Sequence, residues 1–74
     1  PNPARNSVHI STENIVFKYG TINIYNSFGQ CIYQNRIDAG SLLSIDVNHW
    51  KSGVYFVKVL DIKHVIGDGK FVVE

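Results

Sequence analysis

One cysteine, Cys31, is all the sequence contains, so no disulfide closes within the 74 residues and cysteine usage does not report a redox compartment. Cys31 lies in the strand-like run Gly29-Gln30-Cys31-Ile32-Tyr33 and reads as a small buried hydrophobe, with no histidine near it in sequence to act as a base. No apolar run approaches the ~20 residues of a membrane helix, and no N-terminal stretch has the build of a signal peptide. Charge is thin and balanced: seven Lys/Arg against six Asp/Glu give a formal +1. The basic residues are scattered rather than striped, which speaks against a nucleic-acid face. No helix-length window carries a 3.6-residue period.

The usual chemical constellations are absent from the pattern as well. His9, His49 and His64 stand in separate segments without metal-ligand spacing. Asp68-Gly69 lacks the alternating acids of a calcium loop, and Gly67-Asp68-Gly69-Lys70 lacks Walker spacing. Ser41, Ser44 and Ser52 have no nucleophile elbow, and Asp38 and Asp46 have no acidic partner. The expectation is no catalytic residue, no metal and no cofactor, in a chain whose tight turns leave little room for a deep cleft.

What the sequence does have is strands. Gly53-Val54-Tyr55-Phe56-Val57-Lys58-Val59-Leu60 is the longest β signal. Faces alternate along it, and Lys58 marks its own face as the wetter one, so Tyr55, Val57 and Val59 are assigned to the core of a central strand. Leu43, Ile45 and Val47 alternate with Ser44 and Asp46 in the same way. Shorter candidates are Ser7–Ser11, Ile15–Tyr19 ended by Gly20, Thr21–Asn26, Gln30–Ile37 and Lys70–Glu74. Gly29 supplies the turn between the third and fourth of these, and Thr12-Glu13-Asn14 and Asp61-Ile62-Lys63-His64 read as turns. Val65–Gly69 is ambiguous, its two glycines pointing to a bulge or bend within a strand. Trp50, the one tryptophan, is expected to plug an open end of the core from a loop, and the Tyr55 hydroxyl to find a hydrogen-bond partner. Pro1-Asn2-Pro3-Ala4 cannot start a regular element, so residues 1–6 form an extended lead-in or the end of a linker. A start at Pro1 without Met gives the look of a piece of something longer. About seven short strands with frequent turns imply one all-β domain over 1–74, an immunoglobulin-like antiparallel β-sandwich.

Several stretches in order resemble the C-terminal sorting domain of the type IX (Por) secretion system of Bacteroidetes. Pro1-Asn2-Pro3-Ala4 resembles that family's opening PNPA motif. Ile22-Asn23-Ile24-Tyr25-Asn26-Ser27-Phe28-Gly29-Gln30 resembles its I-x-I-Y-(D/N)-x-x-G-(R/Q) hairpin. Leu43–Val47, Ser52–Val59 and Lys70–Glu74 resemble its later strands, the second of these its S-G-x-Y-x-(V/L)-(K/R)-V segment; Ile62–Gly69 is the least similar part.

The resemblance implies a non-catalytic signal domain at the end of a larger secreted protein. Its partners would be the fused N-terminal cargo, the outer-membrane translocon and shuttle components, and a sortase-like protease that joins the cargo to lipopolysaccharide. The route would be periplasm, then outer membrane and cell surface or medium. Because the signal folds, its information must lie in exposed backbone or surface side chains. A terminal strand at a sheet edge offers both, so Lys70, Phe71, Val72, Val73 and Glu74, with the Gly53-Val54-Tyr55 corner, form the expected recognition set. Pro1, Asn2, Pro3, Gly29, Trp50, Val57 and Val59 are expected to serve the motif or the fold. Edge strands also leave open a symmetric dimer. The competing reading is an immunoglobulin-like carbohydrate-binding or adhesin module using Tyr19, Tyr25, Trp50 and Phe56.

Overall fold

Alternating apolar and polar residues become six strands in the computed structural model, which describes residues 6–13, 19–62 and 64–74. They are β1 (Ser7–Ser11), β2 (Tyr19–Tyr25), β3 (Cys31–Asp38), β4 (Leu42–Asp46), β5 (Gly53–Leu60) and β6 (Val65–Val73). Every pairing is antiparallel: β1 with β4 in one sheet, and β3-β2-β5-β6 in the other. The order is that of an immunoglobulin-like sandwich, with β1 and β4 in the places of strands B and E and β3-β2-β5-β6 in those of C′-C-F-G.

The core fills the space between the sheets. Val8, Ile45 and Val47 come from the smaller sheet and its exit, and Ile22, Ile24, Ile37, Tyr55, Val57, Val59, Phe71 and Val73 from the larger. Removing each such side chain from water stabilises the fold by about 1.5–3 kcal/mol before entropy is counted. β5 is central, flanked by β2 and β6, and buries Tyr55, Val57 and Val59 while Val54, Phe56 and Lys58 face water.

Two strand assignments differ from the sequence expectation. Val65–Gly69 and Lys70–Val73 run as one strand, β6, with Ile66 as the extra residue of a bulge, since Val59 pairs with Gly67 but Leu60 with Val65. Six strands stand among the described residues where about seven were expected. Gly20 does not end a strand but pairs with Ile37 inside β2; of the candidate Ile15–Tyr19, residues 15–18 lie outside the described residues. The opening Pro1, Asn2 and Pro3 also lie outside them.

One burial expectation is corrected, and one burial was not foreseen. Cys31 is exposed, because it opens the edge strand β3 beyond a register shift, where Tyr25 pairs with Cys31 and Ile32 is left over. Its thiol lies 3.4 Å from the Tyr33 carbonyl. Thr12, read as a turn residue, is fully buried. Its hydroxyl donates to the Asp38 carbonyl at 3.0 Å and accepts from the Ser41 amide at 2.9 Å, tying the end of β1 to the β3–β4 turn.

Candidate recognition edge

The two stretches singled out for recognition are neighbours. Antiparallel pairing sets Gly53 against Val73, Val54 against Val72 and Tyr55 against Phe71. β6 stands at the end of the strand order of its sheet among the described residues.

Alternation then divides the set. Tyr55, Phe71 and Val73 point inward, with Phe71 and Val73 only 4% and 2% exposed, so they hold the edge in place rather than present it. Val54 and Val72, 39% and 37% exposed, form a cross-strand pair on the outer face. Lys70 is exposed and stands opposite Phe56, and Glu74 is exposed just past the strand. Gly53 enters β5 at φ 152°, a conformation that residues with a Cβ rarely adopt.

The face is wider than the sequence marked. Phe56 is 42% exposed and pairs with Tyr25 of β2, so Val54, Phe56, Tyr25 and Val72 make a continuous apolar strip. The Lys58 ammonium lies 5.6 Å from the centre of the Tyr25 ring. Beside it the Tyr25 hydroxyl accepts from Asn23 Nδ2 at 3.1 Å, and Asn23 Oδ1 accepts from Gln34 Nε2 at 3.0 Å. Tyr25 is marked by the hairpin motif it belongs to, whereas Phe56, at an unspecified position of its motif, is signalled only by the period-two pattern on the wet face of β5.

Behind the strip, Trp50 closes the core. It is half-buried, with ring-centre distances of 5.1 Å to Tyr55, 6.2 Å to Phe71 and 6.4 Å to Tyr33. The expected plug is therefore present, and the tail strand is anchored on it through Phe71. Of the four aromatics considered for sugar binding, Trp50 is committed to the core and only Tyr25 and Phe56 adjoin on a wet face; the Tyr19 side chain lies outside the described residues.

At the same end Asn26 organises the β2–β3 loop. Its Oδ1 accepts from the amides of Phe28 and Gln30, both at 3.0 Å, and its Nδ2 donates to Gln30 Oε1 at 2.8 Å. Gly29 follows with φ 84°, the left-handed conformation glycine enters without strain. The Asn-x-x-Gly-Gln spacing is thus a turn prescription. His9, His49 and His64 fall on β1 and on two different loops, and no group of three or more His, Cys, Asp or Glu converges among the described residues.

Sandwich, aromatic plug and a terminal strand with an exposed outer face define a small β module whose chemistry lies in its surface. The chain belongs to the secretion system C-terminal sorting domain family, whose model matches residues 1–74. It is a type IX secretion C-terminal sorting signal, and its cargo is exported to the cell surface or secreted. An endo-acting ulvan lyase of Formosa agariphila is 31% identical over 61 residues, which cover 82% of this chain and 11% of that protein. The chain therefore spans about a tenth of the length of that curated relative. No solved structure matches it.

Proposed function

We propose that the domain is a non-catalytic address read at β6 and at the outer strip beside it by translocon and shuttle components of the type IX system. The fused cargo reaches the periplasm first, crosses the outer membrane with this domain as its label, and is then released by a sortase-like protease that attaches it to lipopolysaccharide. The observation that carries the reading is the position of β6: it stands last in its sheet among the described strands, pinned from within by Phe71 and Val73, with the Lys70 and Val72 side chains outward. The outward side chains give a partner contact and orientation.

The test is delivery of a fluorescent reporter carrying a Sec signal and this chain at its C-terminus, in a bacterium with a working type IX system. Deleting Lys70–Glu74 is expected to leave the reporter in the periplasm. Surface delivery of the truncation at the parent level refutes recognition through the tail.

A further inference from the structure

Phe28 is the most exposed large hydrophobic side chain among the described residues, at 87%. The loop that carries it nevertheless has a fixed shape. Asn26 Oδ1 accepts from the amides of Phe28 and Gln30. The Asn26 amide donates to the Gln30 carbonyl and the Gly29 amide to the Asn26 carbonyl, both at 3.0 Å, and Gly29 takes φ 84°. Those bonds call for asparagine at 26 and glycine at 29. From position 28 they take only the backbone amide, so the turn asks nothing of its side chain. The ring stacks on none of the described aromatic rings. A well-braced turn therefore holds out in water a phenyl group that the fold does not use.

Its surroundings are apolar as well. The loop leaves β2 directly after Tyr25, a member of the outer strip, and Ile32 follows it on β3 with 42% exposure. Five of the eight exposed large hydrophobics, Phe28, Ile32, Val54, Phe56 and Val72, gather at the end of the larger sheet where β2 ends and β5 begins. An anchor held in shape before contact loses no loop entropy on binding, and buried aromatic anchors dominate protein interfaces. A lipid surface suits this loop less well. Positions 26–30 carry no Lys or Arg to meet an anionic headgroup, and even a whole myristoyl chain gives only marginal membrane binding, so one ring gives less.

We propose that Phe28 is an aromatic anchor that enters an uncharged, apolar, ring-sized pocket of an export-machinery protein. The Asn26 and Gly29 turn sets the direction of the ring, and Ile32 widens the contact. This rests on the reading of the domain as an address taken up by that machinery. It adds a contact at the β2–β3 side of the sheet, made by a side chain alone and independent of any strand edge.

The test begins with the reporter fusion. Phe28→Ser is expected to melt with the parent and to lower surface delivery at least about tenfold, while Phe28→Trp keeps most of it. Ser27→Phe combined with Phe28→Ser moves the ring one position at constant composition and is expected to leave delivery low, which separates a directed anchor from general stickiness. Phe28→Lys repeats the test if Phe28→Ser fails to fold. On the isolated 74-residue chain, β-cyclodextrin serves as a ring-sized apolar cavity. It is expected to shift the Phe28 ring resonances and to leave those of the buried Phe71 in place. Cys31, the single cysteine and exposed, takes an environment-sensitive dye beside the loop. Vesicles of phosphatidylethanolamine and phosphatidylglycerol are expected to leave its emission unchanged. Normal delivery of Phe28→Ser, recovery with the displaced ring, or no cyclodextrin shift overturns the proposal. So does a vesicle response that Phe28→Ser abolishes, which assigns the loop to a membrane surface. Blocked delivery of the Lys70–Glu74 deletion with normal delivery of Phe28→Ser leaves the tail reading and removes the anchor. The reverse pattern removes the tail and keeps the anchor, and normal delivery of both removes both.

Discussion

The Tyr55 hydroxyl donates to the Lys51 carbonyl at 2.6 Å, while its ring stacks on Phe71 with centres 5.6 Å apart. One side chain thus ties the β4–β5 connection to the start of β5 and, through Phe71, to the tail strand. This is the corner seen in immunoglobulin-like sandwiches, where a tyrosine near the start of strand F bonds to backbone a few residues upstream. Here it sits directly beneath β6, so the geometry of the tail depends on a bond four residues back in the chain.

Tyr55→Phe keeps the ring and removes the donor. The Lys51 carbonyl loses that partner, and the expected cost is about 1 kcal/mol. For a domain of this size that lowers Tm by about 4–8 °C. Urea unfolding should show a lower midpoint at an unchanged m-value, because the surface exposed on unfolding is the same. An unmoved midpoint would mean that water replaces the hydroxyl at no cost.

Trp50→Ala removes the plug from an already small core. Large-to-small aromatic changes cost about 3–5 kcal/mol, and a half-buried site belongs at the low end of that range. A domain of this size holds only a few kcal/mol in reserve. The expected outcome is loss of the cooperative thermal transition by circular dichroism, with Trp50→Phe retaining it. A cooperative melt for Trp50→Ala within a few degrees of the parent would show that Tyr33, Tyr55 and Phe71 close the core without it.

Where the sequence was readable, one face was wet and the other dry. Lys58 in the middle of β5 fixed the faces of Tyr55, Val57 and Val59, and Ser44 with Asp46 did the same for Leu43 and Ile45. Those are pairwise contrasts visible within a few residues. Cys31 and Gly20 were misread, and the burial of Thr12 went unseen, because each is decided by partners 6 to 29 positions away: a register shift opposite Tyr25, pairing with Ile37, and the β3–β4 turn. The candidate site was legible as two strand segments, since both match motifs. Their adjacency, and the addition of Phe56 and Tyr25 to the same strip, required the register.

The β2–β3 loop separates turn chemistry from packing. Asn26→Ala deletes the acceptor for two amides and is expected to cost about 1–2 kcal/mol. Gly29→Ala leaves open space around the new Cβ but forces an L-residue to φ 84°, costing about 1–2 kcal/mol. Gly69→Ala, in extended backbone with open space, is expected to be neutral or stabilising. Measured in parallel by denaturant unfolding, equal losses at Gly29 and Gly69 would contradict the assignment of Gly29 to backbone conformation.

On the proposed reading, address and scaffold occupy alternate residues of one strand, so substitutions a single position apart should fail differently. Val54→Thr with Val72→Thr trims the outer strip while keeping β-branched side chains, and exposed changes of this kind move stability by about 0.5 kcal/mol or less each. Reporter delivery is nevertheless expected to fall several-fold, with intracellular reporter still folded and protease-resistant. Phe71→Ala faces the core and is expected to cost about 3–5 kcal/mol, so that delivery fails because the label itself unfolds and is degraded. Loss of delivery with intact folding is the signature of a residue that is read; loss of both marks a residue that only holds the reader's surface in shape. If the double threonine variant exports normally, the outer strip is not part of the address.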